Sequence, residues 1–277
     1  MNAAFRGFVT LALLALVTGA GIAREAGAVR LGTPAGLGAT YFAPVAGSAV
    51  PHPAVVFMHG CGGPYGRDGA VAARFRSWAQ QFNAQGYAVL LVDSFSGRGL
   101  RELCTQPFAR RSLRAVDRVP DAWAARAWLI ARGDVDPARI ALMGWSHGAT
   151  TTLFALRRTP EGGKAFAAAV AVYPGCSALA KAGPYRPQSP VLLLIGEADD
   201  WTPASPCRDL ADEAPEIVLK TYPGAFHGFD EPFGRLRVRT DVPNGVRPGR
   251  GVTVGPDVAA REDALRRVSR FLAERFA

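Results

Sequence analysis

The 277-residue sequence contains little cysteine and little histidine, with four residues of each type. No C-x-x-C pair occurs among the cysteines, which argues against a thioredoxin-like redox site or a zinc site. No Pro/Ser-rich linker divides the chain, and no internal repeat is visible. A chain of this length with 49% hydrophobic residues is long enough to bury one large core. We therefore expect a single domain.

Clustered basic residues, typical of nucleic-acid-binding proteins, are also missing. The formal charge is +9, but the arginines are scattered along the chain and no basic run is interleaved with aromatic residues. No nucleic-acid-binding motif occurs. The excess charge is therefore interpreted as a solvated basic surface, and nucleic acid is not expected as a partner.

The first residues have the three parts of a secretory signal peptide. Arg6 precedes an apolar stretch at residues 8–17, and small residues follow as far as Ala23. This stretch is shorter than the about 20 apolar residues that a membrane-spanning helix needs, and no second stretch follows it. We predict a signal peptide at residues 1–23, with cleavage after Ala28 as the alternative. The mature domain, residues 24–277, is then expected to be periplasmic or secreted and to have no stable membrane span.

Buried strands and amphipathic helices are predicted to alternate along the chain. Continuous apolar runs, which are typical of parallel strands covered on both faces, lie at residues 53–58, 88–92 and 140–143. Further strands are predicted at residues 167–173, 191–195 and 217–222. Weaker edge strands are predicted near residues 29–31 and 39–43. Helical spacing of apolar residues occurs at 70–85, 122–131, 149–158 and 257–276. This alternation predicts an α/β fold with a mostly parallel sheet flanked by helices, and a site at the carboxyl ends of the strands.

The pentapeptide Gly144-Trp145-Ser146-His147-Gly148 joins one predicted strand to a helix. Its G-x-S-x-G pattern is that of a nucleophile elbow, a strained turn that raises a serine hydroxyl above the sheet. Glycines flank the serine because the turn leaves no room for side chains beside it. The pattern in this context predicts Ser146 to be a nucleophile.

A serine nucleophile needs an imidazole to take its proton, and the chain offers few. His52 precedes a strand, His59 opens a glycine loop, and His147 lies beside the serine with its side chain expected to point away. His227 follows the last predicted central strand in a glycine-flanked loop that can reach over the serine. The resulting order of serine, acid and histidine favours His227 as the general base.

The imidazole in turn needs a carboxylate that fixes its tautomer and stabilises the imidazolium. Three acids follow the strand at residues 191–195. We predict Asp199 to be the acid, with Asp200 as the first alternative and Glu197 as the second. The two that do not serve are expected to cap the turn or to face solvent.

Acyl transfer also needs hydrogen-bond donors for the developing oxyanion. One is expected to be the N–H of His147, immediately after the nucleophile. The other is expected from the glycine loop after the first central strand, at Cys61 with Gly62 as the alternative. This loop fits neither a G-x-G-x-x-G nor a Walker pattern, so a phosphate-binding role is not favoured.

A long polar loop at residues 93–113 follows the second central strand. It exceeds the length of a routine turn and is therefore a candidate active-site loop. Its Arg98 and Arg101 have guanidinium groups that suit a carboxylate, so both are candidate substrate-binding residues. The alternative is that both arginines are simply solvated.

The glycine loop at residues 59–63, the elbow at 144–148, the acid turn at 196–199 and the histidine loop at 226–229 together resemble the dienelactone hydrolase family of α/β-hydrolases. The resemblance extends from about residue 50 to the end. It implies an eight-stranded α/β-hydrolase sheet and hydrolysis of small-molecule esters or lactones without a metal or cofactor. The best-known members carry cysteine where Ser146 stands here. We therefore predict a serine hydrolase; the alternatives are a peptidase or amidase of the same fold and a non-catalytic binding protein.

The resemblance also implies how the four cysteines pair. In such a sheet the first central strand lies beside the second, and the strand at residues 167–173 lies beside that at 191–195. Loops that leave adjacent strands can bring two Cα atoms within the about 7 Å that a disulfide requires. The implied disulfides join Cys61 with Cys104 and Cys176 with Cys207.

Overall fold

The computed structural model describes residues 25–33 and 36–277, so the predicted signal peptide lies outside the described residues. An eight-stranded sheet forms the middle of the fold, with the order β1-β2-β4-β3-β5-β6-β7-β8. The outer strands β1 and β2 pair antiparallel, as do β2 and β4, and the other pairs are parallel. The prediction of a mostly parallel sheet is confirmed. The strands are β1 Glu25–Arg30, β2 Gly38–Phe42, β3 His52–Met58, β4 Ala88–Asp93, β5 Val135–Trp145, β6 Ala169–Val172, β7 Val191–Gly196 and β8 Ile217–Tyr222.

Helices flank the sheet and bury its apolar strands. In β4, β6 and β7 every residue is buried, which explains why these strands are continuous apolar runs rather than alternating ones. Helix α1 contacts α6, and helix α2 contacts α3. Within the described residues, no helix combines the length and the apolar character needed to cross a bilayer. The helices are α1 Ala73–Asn83, α2 Val119–Ala131, α3 His147–Ala155, α4 Ser177–Ala180, α5 Ser205–Glu213 and α6 Val258–Phe276.

The predicted helices form, with ends that differ by a few residues. Helix α1 buries Phe75, Trp78 and Phe82, three of the residues that marked its helical spacing. Helix α6 begins after Asp257, whose carboxylate accepts a hydrogen bond from the N–H of Ala260 at 2.9 Å. An aspartate in this position satisfies an N–H that lacks a partner within the helix.

A two-stranded hairpin near the carboxyl end was not predicted. Its strands are β9 Arg237–Arg239 and β10 Val252–Val254, which pair antiparallel. Each has only three residues and the segment between them is rich in glycine and proline, so the sequence has too little periodicity to indicate strands. The hairpin matters for the site because Val254 pairs with His227 in an isolated parallel bridge.

Candidate active site

Ser146 lies at the sharp turn between β5 and α3. Its backbone has φ 53° and ψ −116°, and residues other than glycine rarely adopt such a positive φ. A Cβ atom on Gly144 would clash with the carbonyl of Gly148, and one on Gly148 would clash with the carbonyl of Met58. Both glycines are thus required by the close approach of backbone segments. The elbow is held to β6 by a 2.9 Å hydrogen bond from the Ser146 N–H to the Val172 carbonyl.

His227 and Asp199 form a buried pair at the carboxyl ends of the strands. The Nδ1 atom of His227 lies 2.8 Å from Oδ2 of Asp199. The other carboxylate oxygen, Oδ1, accepts hydrogen bonds from the N–H groups of Trp201 at 2.9 Å and Thr202 at 2.8 Å. Both oxygens are therefore fixed in direction. Since Nδ1 of the ring faces the carboxylate, Nε2 is the ring nitrogen that can accept a proton.

The other two candidate acids face elsewhere. Asp200 accepts from the N–H of Thr253 at 2.7 Å and from its hydroxyl at 2.9 Å. Glu197 accepts from Arg208 and from Thr221, each at 2.8 Å. Of the three acids that follow β7, Asp199 is the one whose carboxylate bonds to His227.

Two aromatic rings and a hydroxyl enclose the imidazole of His227. The ring of Tyr173 lies 4.4 Å from it and that of Trp201 lies 4.7 Å away, measured between ring centroids. The hydroxyl of Thr202 lies 3.2 Å from Nδ1 and donates to Oδ2 of Asp199 at 3.0 Å. Tyr173 has φ 42°, which bends the chain sharply at the end of β6. Neither Tyr173 nor Thr202 was expected at this position from the sequence, because a single tyrosine or threonine carries no motif.

The glycine loop after β3 lies against the elbow. A Cβ atom on Gly60 would lie 3.3 Å from the carbonyl oxygen of Trp145 and 3.5 Å from Cβ of Ser146. Cys61 lines the same cleft as Ser146 and His147. The N–H of His147 is at the start of α3, where helix geometry leaves it without an intrahelical acceptor. The two predicted oxyanion donors therefore lie on segments that meet beside the serine.

His59 and His147 both contact a buried arginine, Arg118. Arg118 is completely buried; its Nη1 donates to the carbonyl of His59 at 2.8 Å and lies 3.0 Å from Nδ1 of His147. Burial and then the charge of Arg118 lower the pKa of both histidines well below the usual value. Burial lowers the pKa of Arg118 to about 9, so the guanidinium stays charged near neutral pH. Both histidines are neutral there, and Arg118 joins the two predicted oxyanion segments.

Both implied disulfides are present. Cys61 is bonded to Cys104 with the Cα atoms 5.0 Å apart, and Cys176 is bonded to Cys207 with the Cα atoms 5.1 Å apart. Their strands are the adjacent pairs β3 with β4 and β6 with β7. The first disulfide attaches the glycine loop to the long loop after β4.

A cleft of about 740 Å³ opens beside Ser146. Its lining is largely apolar and includes three basic residues but no acidic one: Arg111, Arg114 and Lys181. Arg114 is paired with Asp117 at 2.8 Å. Arg111 packs over the ring of Phe108, and its Nε and Nη2 atoms are buried without a hydrogen-bond partner among the described residues.

The arginines that the sequence suggested for substrate binding do not line this cleft. Arg98 donates to both carboxylate oxygens of Asp121, at 2.9 and 2.7 Å, and to the carbonyl of Ser94. Arg101 is exposed on the same loop. The guanidinium of Arg98 is thus occupied by a buried acid, and the arginine of this loop that lines the cleft together with Arg114 is Arg111.

The sheet order, the elbow and the following acid and histidine loops define an α/β-hydrolase fold. The sequence matches the dienelactone hydrolase family over residues 39–276. The chain therefore belongs to the dienelactone hydrolase family, a family of hydrolases.

Several solved structures have the same fold. Esterase 2 of the Planctomycetes species Thermogutta terrifontis is similar with a TM-score of 0.63 and 20% identity, over 92% of this chain and 93% of that one. A dienelactone hydrolase-like promiscuous phosphotriesterase from metagenomic libraries has a TM-score of 0.63 and 20% identity, over 91% and 99%. A puromycin-hydrolyzing peptidase of Mycobacterium tuberculosis has a TM-score of 0.58 and 27% identity, over 78% of this chain and 38% of that one.

Proposed function

We propose that the protein is a serine hydrolase that cleaves carboxylic esters or lactones through an acyl-enzyme on Ser146. The observation that carries the proposal is the 2.8 Å contact between His227 Nδ1 and Asp199, on loops that lie at the same end of the sheet as the Ser146 elbow. Family membership supports hydrolysis, and the serine at the elbow supports a hydroxyl nucleophile.

In the proposed acylation step, Oγ of Ser146 attacks the carbonyl carbon of the ester while Nε2 of His227 takes the hydroxyl proton. The carbonyl oxygen becomes an oxyanion, which accepts hydrogen bonds from the N–H groups of Cys61 and His147. The bond to the leaving alcohol then breaks, and the alcohol oxygen receives the proton from His227. Asp199 holds the ring so that Nδ1 keeps its proton throughout.

Deacylation repeats the same transfers with water as the nucleophile. His227 takes a proton from water as the oxygen attacks the acyl carbon, and the second tetrahedral intermediate collapses to the acid. The bond from the acyl carbon to Ser146 breaks, and Oγ regains the proton from His227. Ser146 and His227 thus return to their starting protonation states.

A fluorophosphonate label combined with p-nitrophenyl acetate hydrolysis tests this function. Esterase 2 of Thermogutta terrifontis is phosphorylated by paraoxon, which supports an organophosphorus probe for this fold. Turnover of a panel of esters, lactones and amides then identifies the preferred bond. Labelling with ester or lactone turnover supports the proposal. The absence of both labelling and turnover would favour a non-catalytic binding protein.

Peptidase or amidase activity is the second candidate. The observation in its favour is the 27% identity to the Mycobacterium tuberculosis peptidase. The matched part is only 38% of that peptidase, so much of that protein has no counterpart in the match. Faster turnover of p-nitroanilides than of matched p-nitrophenyl esters would favour this candidate.

Export and a single-domain organisation are also part of the proposal. We propose that residues 1–23 are removed as a signal peptide and that residues 24–277 are the mature periplasmic or secreted domain. Two disulfides support an oxidising compartment, because cytosolic thiols are usually kept reduced. Mass spectrometry of the protein from a periplasmic extract gives the mature amino terminus.

For substrate binding, we propose Arg111 as the residue that holds a carboxylate on the substrate. Arg111 is half-buried, and two nitrogen atoms of its guanidinium have no hydrogen-bond partner among the described residues, so an anion in the cleft would offset the cost of burying this charge. Burial lowers the pKa of Arg111 to about 10, with Glu102 acting in the opposite direction, so Arg111 is protonated near neutral pH.

Arg111→Met is expected to raise KM about tenfold for an anionic ester, the mono-p-nitrophenyl ester of adipic acid, because a charge-assisted hydrogen bond contributes about 1.5–3 kcal/mol. KM for p-nitrophenyl hexanoate, which has a similar length and no charge, is expected to change little. Arg101→Met, an exposed arginine outside the cleft, is the matched control. Equal KM changes for the two esters would contradict the assignment.

Removing each disulfide is expected to have similar effects on stability but different effects on activity. Loops of 43 and 31 residues each correspond to about 4 kcal/mol in the chain-entropy model. Because Cys61 carries a proposed oxyanion donor, the Cys61→Ala/Cys104→Ala variant should lose about tenfold more kcat than Cys176→Ala/Cys207→Ala. Urea unfolding and steady-state kinetics measure the two quantities. Equal kcat values in both double variants would contradict a role for the first disulfide in placing the loop.

A further inference from the structure

The histidine loop begins far from the nucleophile. The order β5-β6-β7-β8 separates the end of β8 from the elbow by three strand spacings, which is about 14 Å at about 4.8 Å for each spacing. The imidazole must nevertheless come within hydrogen-bonding reach of Ser146, since a misplacement of about 1 Å can lower a rate about 10²-fold. The loop therefore needs contacts that hold it against the elbow.

Asp230 supplies a buried anchor three residues after His227. A turn closed by the hydrogen bond from the Glu231 N–H to the Gly228 carbonyl, at 3.0 Å, connects the two positions. The carboxylate of Asp230 is completely inaccessible to solvent. It is therefore directed into the protein from the same short turn that carries the proposed base.

Three uncharged donors converge on this carboxylate. Oδ2 accepts from the indole N–H of Trp145 at 2.7 Å and from that of Trp78 at 2.9 Å. Oδ1 accepts from the hydroxyl of Tyr173 at 2.6 Å. Arg74 adds an ion pair, with its Nε 3.1 Å from Oδ1. The negative charge is thus paired and hydrogen-bonded, as a buried charge must be.

Two of these donors are adjacent to the proposed catalytic groups. Trp145 immediately precedes Ser146 in the chain, and its indole packs against Phe57 at 4.9 Å. Tyr173 carries the ring that lies 4.4 Å from the imidazole of His227. Burial raises the pKa of Tyr173 well above 10, so the phenol keeps its proton and acts as a donor. A single carboxylate therefore bonds to the neighbour of the nucleophile and to the ring against the base.

We propose that Asp230 is a positioning residue that fixes the distance between Ser146 and His227. Its carboxylate accepts hydrogen bonds from Trp145, which precedes Ser146, and from Tyr173, whose ring packs against the imidazole of His227. Its backbone belongs to the same loop as His227. The inference rests on the proposed function, since it concerns the geometry of that catalytic site. Asparagine is a poor replacement for aspartate here. If its amide oxygen stays with the two indoles, its NH₂ group faces the guanidinium of Arg74, which then loses its acceptor and its opposite charge.

Asp230→Asn is expected to lower kcat about 10²-fold for p-nitrophenyl acetate with KM changed less than about threefold. The rate of Ser146 phosphonylation by the fluorophosphonate should fall by a similar factor. Tyr173→Phe keeps the aromatic ring and removes one donor, so kcat should fall about tenfold. Tyr185→Phe is the matched control, because Tyr185 is a buried tyrosine that donates to the Leu153 carbonyl at 2.8 Å. Melting temperatures of all variants are measured together.

The two tyrosine variants separate positioning from stability. If both lower the melting temperature by similar amounts and only Tyr173→Phe loses kcat, the inference is supported, and Tyr173→Phe should then cost little more in the Asp230→Asn background. Equal kcat values in folded Tyr173→Phe and Tyr185→Phe would overturn it, whether or not Asp230→Asn folds. An inactive, unlabelled wild-type protein would instead refute the proposed function.

Discussion

Replacing Ser146 with alanine is expected to lower kcat for ester hydrolysis by about 10⁴-fold or more while leaving the protein folded. The hydroxyl is the proposed attacking group, so without it no acyl-enzyme can form. Alanine fits the elbow because it is smaller than serine and the bulk-sensitive positions are Gly144 and Gly148. Steady-state kinetics and a melting curve on purified Ser146→Ala measure both properties.

Ser189→Ala is a suitable control for this variant. Ser189 is also a buried serine, but its hydroxyl donates to the Phe166 carbonyl at 2.7 Å, and it does not line the cleft. We expect its kcat to stay within about threefold of wild type. Residual activity of Ser146→Ala within tenfold of wild type would remove Ser146 as the nucleophile.

The second large effect is expected for Asp199→Asn, with kcat lowered about 10³- to 10⁴-fold. The amide oxygen would keep the hydrogen bonds from the N–H groups of Trp201 and Thr202, which leaves the NH₂ group facing Nδ1 of His227. Nδ1 would then have to accept a hydrogen bond, and the ring proton would move to Nε2. In that tautomer the imidazole cannot take the serine proton.

Asp200→Asn provides the comparison within the same turn. Its carboxylate bonds to Thr253 rather than to His227, so the substitution disturbs the attachment of β10 and leaves the imidazole tautomer unchanged. We expect Asp200→Asn to keep a kcat at least about 10²-fold higher than that of Asp199→Asn. If the two variants lost kcat equally, or if Asp200→Asn lost more, Asp199 would no longer be assigned as the acid.

The elbow could be predicted from sequence because its requirements are local. A serine between two glycines at a strand-to-helix junction restricts the backbone so strongly that neighbouring residues alone identify it. The sequence alone does not distinguish Asp199 from Asp200 as the acid. Both follow β7 directly, and the choice depends on the turn in which the Trp201 and Thr202 N–H groups bind one carboxylate. An Asx turn of this kind is compatible with the sequence but not required by it.

Contacts between distant segments could not be read from the sequence. Arg98 pairs with Asp121, which lies 23 residues further along the chain, and no local pattern indicates this. The same is true of Tyr173, which no motif marks. The cysteine pairing was predictable only because the family resemblance supplied a strand order. Strands of three residues such as β9 and β10 are too short for periodicity to indicate, although they support the histidine loop.

Direct detection of the acyl-enzyme tests whether Ser146 is the nucleophile. The protein is mixed with a p-nitrophenyl ester of a bulky acid that deacylates slowly, quenched in acid, and analysed as intact protein and as peptides by mass spectrometry. We expect a burst of p-nitrophenol equal to the enzyme concentration and one acyl group on the peptide that contains Ser146. Turnover with no acylated peptide, or acylation of a different residue that persists in Ser146→Ala, would contradict this assignment.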